Sequence, residues 1–208
     1  MKPSLLAWVL LSLLCLPHQL FSCPPLPARK WHVQAAAFTV RFDSELGFSP
    51  GMSFGFAAGC ELSRPLTVTS GFTFSRSTRI LSLIGASQES AVDFYQAYLA
   101  IRPRWRFGHQ SRFTFFADAQ AGLLYLRPHA LTLTGGTVGR VVIQPPSETK
   151  FNPAWGIGAG MHITRCLATF LQVKQNFMRL VDHRIGEDST KEVWRSFWQA
   201  GAGVAIYF

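Results

Sequence analysis

Charge is scarce in this 208-residue sequence, and what there is leans one way. Only 15% of the residues are Asp, Glu, Lys or Arg, with 11 acidic against 20 basic side chains and a formal net charge of +9. The basic residues form no run, which argues against a nucleic-acid surface, and an anionic lipid surface is the more economical partner for such a balance. Cysteine is nearly as sparse, with four in the chain. Too few are present for a disulfide framework. Long apolar runs are missing as well. The longest, Leu5 to Leu16, is interrupted by Ser12, and a membrane-spanning helix needs about 20 apolar residues. A helical membrane protein is therefore excluded. No His, Cys and carboxylate pairing stands at metal-ligand spacing, and no Gly-x-Ser-x-Gly pattern occurs, so no metal, cofactor or elbow-type hydrolase is expected.

That short apolar run follows Met1 and Lys2 and precedes Pro17, the pattern of an export signal. Residues 1–22 are expected to be removed, leaving 23–30 as a Pro-rich spacer and 31–208 as one domain. Leu20-Phe21-Ser22-Cys23 is close to a lipoprotein box, which makes Cys23 a possible lipidation site beside ordinary cleavage near residue 22. Cys15 falls inside the leader. Cys60 and Cys166 fall on opposite strand phases, so no disulfide between them is expected.

Period-two alternation is what the chain does have. In the last fifteen residues, Trp198, Ala200, Ala202, Val204, Ile206 and Phe208 occupy one face, while Gln199, Gly201, Gly203, Ala205 and Tyr207 occupy the other. Glycine at strand period disfavours a helix, and a greasy outward face over a small inward one fits a transmembrane β-barrel. The same alternation recurs at 52–61, 66–75, 94–107, 112–126, 152–163 and 166–179. In the candidate strand 31–42, Trp31, Val33, Ala35 and Ala37 compete with Phe38, Val40 and Phe42 for the outer face. Eight antiparallel strands result, joined alternately by very short turns and by longer loops at 43–50, 76–93, 127–151 and 181–193. That asymmetry is expected of an outer-membrane barrel with its long loops outside. Within 127–151, Leu131–Thr134 and Val141–Ile143 flank Gly135-Gly136 as a small hairpin. Pro103 lacks a ladder donor and predicts a bulge or local distortion.

Aromatics on the outward phase gather at two edges: Trp31, Trp105, Phe107, Phe113 and Phe208 at one, and Phe54, Phe74, Tyr95, Tyr125, Trp155, Phe177 and Trp198, with Met52, at the other. Two interfacial girdles are the reading. A soluble sandwich or lipocalin would need polar outer faces, which are missing.

The segments Tyr98-Leu99-Ala100-Ile101-Arg102-Pro103, Trp155-Gly156-Ile157-Gly158-Ala159-Gly160 and Gly201 to Phe208 resemble those of the PorT-like and OmpA-like eight-stranded outer-membrane barrels of Gram-negative bacteria. The resemblance covers roughly residues 31–208. It implies an all-β, up-and-down barrel in the outer membrane among phospholipid and lipopolysaccharide. A terminal Phe208 with Val204 and Ile206 resembles the signal read by the barrel assembly machinery, a transient partner. PorT-like membership would imply a place in an envelope transport or secretion assembly. Nothing resembles a peptidoglycan-binding domain.

The inward phase carries the ionic side chains. Arg102, Arg104 and Arg106 face Asp118 on the neighbouring strand, with Glu61 and Lys174 also inward. An eight-stranded interior is just wide enough for side chains to fill, so a salt-bridged plug is expected over a pore, with an anion path or small acidic ligand near the periplasmic end as the alternative. His162 reads as a polar filler near a turn. A lipid-modifying enzyme would need a nucleophile, histidine and acid at the outer rim, and His162 lies at the opposite edge. The expectation is a monomeric, non-catalytic barrel whose loops carry any structural or recognition role.

Overall fold

A computed structural model describes residues 31–63, 65–83, 86–106, 112–134, 140–182 and 191–208. They form ten strands: β1 (Trp31–Phe42), β2 (Gly51–Ser63), β3 (Leu66–Leu83), β4 (Ala86–Arg106), β5 (Phe113–Pro128), β6 (Leu131–Thr134), β7 (Arg140–Ile143), β8 (Glu148–His162), β9 (Leu167–Asp182) and β10 (Lys191–Tyr207). Eight of them close into an antiparallel barrel in the order β1-β10-β9-β8-β5-β4-β3-β2, and β6 and β7 make a separate hairpin. The expected hairpin at 131–143 is this pair, although residues 135–139 of its turn lie outside the described residues, as do 107–111 after β4.

Closure is made by β1 against β10, from His32↔Tyr207 to Phe42↔Phe197. Gly201 sits at the tightest point of that seam, where a Cβ would press on the Ala37 carbonyl and Phe38 Cα. Only a residue without a side chain lets the two backbones come so near.

Alternation sorts the two faces as the residues require. Phe56 is 66% exposed, Leu171 65%, Leu99 61% and Ile157 58%. Side chains this apolar and this exposed, repeated around every barrel strand, suit acyl chains rather than water. Among the described residues no helix is long and apolar enough to cross a membrane. Rings pack against one another, tilted or T-shaped, along one border of the apolar band, with Phe74 to Tyr95 at 5.2 Å, Tyr95 to Tyr125 at 6.1 Å and Trp155 to Trp198 at 6.1 Å. At the other border the Phe208 amide donates to the Trp31 carbonyl over 2.9 Å. Both residues are exposed there, as are Trp105 and Phe113.

Closure also fixes the phase of β1. Trp31, Val33, Ala35 and Ala37 take the outer phase, while Phe38, Val40 and Phe42 are buried in the lumen. Cys60 is a free thiol and Cys166, in the turn before β9, is disulfide-bonded, so the two are not joined.

Three expectations need correction. The segment 76–93 is not a loop: β3 and β4 stay paired from Arg76↔Asp93 to Leu83↔Ala86. Seven residue pairs beyond Arg76, at about 3.3 Å each, carry this hairpin roughly 23 Å further. Once past the membrane both strand faces meet water, so polar composition does not disqualify a strand. For the same reason the loops at 127–151 and 181–193 are shorter than expected, since β5 runs to Pro128, β8 starts at Glu148, β9 runs to Asp182 and β10 starts at Lys191. The local distortion expected at Pro103 is present, as a lapse in pairing and not as a bulge. The β4–β5 ladder lapses there and resumes in unchanged register, Ile101↔Ala119 then Arg104↔Phe116. The register shift occurs instead between Glu61 and Ser63, beside the β2–β3 turn. Finally, loop 43–50 folds back inward through a 3-10 turn at Ser44–Leu46 and Gly47 at φ 64°, burying Leu46 and bringing Phe48 onto the barrel end.

A clasp braces the projecting hairpin just beyond the Phe74–Tyr95–Tyr125 girdle. Arg76 donates to both Asp93 carboxylate oxygens at 2.6 and 3.2 Å, and the His129 ring stands 2.8 Å from the second of them. The hydrogen bond from Arg76 holds the Asp93 carboxyl below the usual carboxylate range, against burial, which raises it. A depressed folded pKa stabilises above the unfolded value, about 3.9, and that contribution disappears as pH falls through the folded one. The thermal midpoint of the folded barrel should therefore drop on acidification below about pH 4 by more in the wild type than in Asp93→Asn. Equal acid profiles for the two proteins would remove the clasp from the account.

Candidate functional site: the filled lumen

The lumen is filled in layers, each built from inward positions of different strands. Nearest the long connections lies an apolar cap of Val40, Phe42, Leu46, Val92, Phe94, Leu124, Leu126, Met178 and Phe197. Phe42 is its hub, with ring centroids 5.1 Å from Phe48, 5.0 Å from Phe94 and 5.4 Å from Phe197. Loop 43–50 closes the cap from above.

Beneath it is a hydrogen-bonded amide layer. Gln96 Nε2 donates to Asn152 Oδ1 at 2.5 Å and to Asn176 Oδ1 at 3.1 Å, and Thr73 Oγ1 donates to Gln96 Oε1 at 3.0 Å. Asn176 Nδ2 in turn donates to Gln199 Oε1 at 3.2 Å, and Asn152 Nδ2 to the Phe177 carbonyl at 2.7 Å. Four strands, β3, β4, β8 and β9, meet in these bonds, with β10 joining through Gln199. A buried network of this kind holds only if its members satisfy one another.

The ionic layer comes next. Arg102 lays its Nε and Nη2 edge on the Asp118 carboxylate at 2.6 and 3.2 Å, its Nη1 donates to Gln34 Oε1 at 3.3 Å, and its guanidinium carbon is 4.3 Å from the centre of the Phe116 ring. Gln172 Nε2 also donates to Asp118. Asp118 is thus gripped from two strands beside its own. Lys174, expected in the same charge cluster, is held differently: its ammonium lies 4.8 Å from the Phe38 ring and 4.9 Å from the Tyr98 ring, a cation between aromatic faces. Glu61 faces Arg104, not Arg102, at 2.8 Å. Arg106 keeps the inward phase of β4 but stands at the mouth, exposed, so it belongs to the rim and not to the buried cluster. Sequence reasoning missed Gln34, Gln172, Tyr98 and the amide layer. Apart from Gln34, whose strand β1 has an ambiguous phase in the sequence, their inward phase was readable, but which of them meet depends on the stagger of the closed barrel.

Among the described residues the interior holds small cavities of about 30 Å³ at the mouth side of Arg102 and about 10 Å³ beside Phe38 and Tyr98. The larger has room for a water molecule or two, and the smaller for about one at most. His162 lines the larger one, its ring 5.2 Å from that of Tyr207. Among the described residues, no group of three His, Cys, Asp or Glu side chains is placed to hold a metal.

The crystal structure of Neisserial surface protein A superposes with a TM-score of 0.59, at 17% sequence identity over 86% of this chain and 97% of that one. The fold is that of the small outer-membrane β-barrels. Two more solved structures agree: OprG from Pseudomonas aeruginosa, with a TM-score of 0.56 and 9% identity over 87% of this chain and 96% of that one, and a major outer membrane protein from Thermus thermophilus, with 0.51 and 14% over 87% and 100%. No family model matches the sequence, and no curated protein matches it. Identities this low carry the architecture alone. The lumen has to be read from its own residues.

Proposed function

We propose that this chain is a non-catalytic, monomeric protein of the bacterial outer membrane that offers its extracellular hairpins for structural or recognition contacts. The observation that carries the reading is the pairing of a filled lumen with a hairpin, β3–β4, that continues seven residue pairs past its clasp. Material invested in a projecting surface over a blocked interior suits contact more than passage. The barrel would sit among phospholipid and lipopolysaccharide, and Val204, Ile206 and Phe208 would be presented to the assembly machinery during insertion. Residues 1–22 would be lost on export. Cys23 then has two competing fates, lipidation or no role after ordinary cleavage near residue 22. The intact mass of the extracted chain separates them.

Planar-bilayer recording on the reconstituted barrel tests the central claim. Current indistinguishable from that of the bare bilayer is expected. Steady, voltage-independent conductance steps would overturn it in favour of a channel.

The projecting hairpin also suits a PorT-like role as one component of an envelope transport assembly, since it offers a ledge of paired strand backbone on which another protein could rest. Extraction from native membranes distinguishes the two readings: a stable, stoichiometric partner that is lost when residues 79–90 are deleted would favour the assembly component.

A further inference from the structure

Arg104 and Arg102 are two residues apart on β4, and both are buried, at 7% exposure each. Arg102 closes the Nε and Nη2 edge of its guanidinium on the two oxygens of Asp118. Arg104 uses only Nη1, on Glu61 at 2.8 Å, and its Nε and Nη2 have no hydrogen-bond partner among the described residues. The same two-pronged edge that finds a carboxylate in one arginine is therefore open in the next. A guanidinium edge of this kind matches a planar oxyanion through two parallel N–H···O bonds, and leaving charged donors buried without acceptors is costly. Arg104 also lines the cavity of about 30 Å³, together with Arg102, Gln34 and Thr114. The Thr114 hydroxyl, on a residue 6% exposed, likewise lacks a partner among the described residues. The lumen's described, buried charges are three cations, Arg102, Arg104 and Lys174, against Asp118 and the partly buried Glu61.

We infer that the mouth-side cavity is a binding site for one small planar oxyanion of the carboxylate class, held by the open edge of Arg104 and capped by the Thr114 hydroxyl. The cavity volume limits the ligand to about the size of formate. Glu61 remains on the opposite side of the guanidinium and keeps the arginine in place. The site would lie between the ionic layer and the short-turn mouth, where His162 and Tyr207 are only partly buried.

The test uses the full mature barrel in detergent, with its unfolding midpoint read from the loss of the fast-migrating folded band at fixed heating time. Sodium formate is compared with sodium gluconate, a carboxylate too large for the cavity, at equal ionic strength. At a saturating concentration formate is expected to raise the midpoint by roughly 3–6 °C over gluconate. In Arg104→Lys, which keeps the charge and loses the planar edge, the difference should vanish. Equal midpoints in the two salts for the wild type, or an undiminished formate effect in Arg104→Lys, would overturn the proposal. Should the variant fail to fold, saturation transfer on the wild type decides: transfer from protein methyl protons to the formate proton that gluconate does not compete away supports the site, and its absence refutes it.

Discussion

Replacing Asp118 by alanine is expected to destabilise the folded barrel by about 3–5 kcal/mol, because it strands a buried guanidinium. The side chain of Asp118 is fully buried and that of Arg102 nearly so. Asp118 accepts from Arg102 twice and from Gln172 once, so its loss leaves donors without acceptors on the adjacent strand β4 and on β9, two strands away on the other side. The Coulomb energy of the intact pair is a poor guide to the size of this effect, since removing both charges from water cancels much of it. What dominates is the single charge left behind. A second expectation follows from the same reasoning: in Asp118→Ala combined with Arg102→Met, most of the stability should return, because neither charge then needs compensation. Urea unfolding of the wild type and the two variants in lipid vesicles checks both statements. A double variant as unstable as Asp118→Ala alone would show that the ion pair is not what the aspartate supports.

Phe42→Ala is expected to cost about 3–5 kcal/mol as well, by a different route. Phe42 is 7% exposed and its ring meets those of Phe48, Phe94 and Phe197. Truncating it removes transfer energy and leaves a cavity where four aromatic rings had packed. The closed sheet around it cannot collapse inward to fill the space, so the penalty should stand at the upper part of the usual range. The loop that closes the cap depends on this ring, since Phe48 rests on it. Protease added to the outside of reconstituted vesicles should therefore cut within 43–50 faster in Phe42→Ala than in the wild type. An unchanged unfolding midpoint together with unchanged cleavage would mean that the cap is held by the barrel wall and not by its central ring. The two substitutions probe opposite kinds of filling, ionic and apolar, in one lumen.

The acid response of the Asp93 clasp and the formate response at Arg104 are separable from these effects by position. Asp93 lies beyond the outer aromatic girdle and Arg104 lies toward the opposite mouth, with the amide layer and the Arg102–Asp118 pair between them. Substitutions at such distances, sharing no partner, should add.

Within the band that meets lipid, the chain's own order was enough to determine the strands and their faces. Residues 52–61 or 152–162 can be assigned by eye because the outer medium is uniformly apolar and the inner space uniformly narrow, so each position is selected by its phase alone. The phase of β1 escaped that reasoning, since alanines on one side and phenylalanines on the other both suit either environment; only pairing with β10 and β2 sends Phe38, Val40 and Phe42 inward. The segment 76–93 escaped it because, past the membrane, both strand faces contact water and alternation ceases to carry information. The partners inside the lumen escaped it for a third reason. Asp118 with Arg102, Glu61 with Arg104 and Lys174 between Phe38 and Tyr98 are set by strand stagger and closure, which are properties of the whole ring of strands. Local phase is written residue by residue, whereas contact across a closed barrel exists only once every strand has found its register.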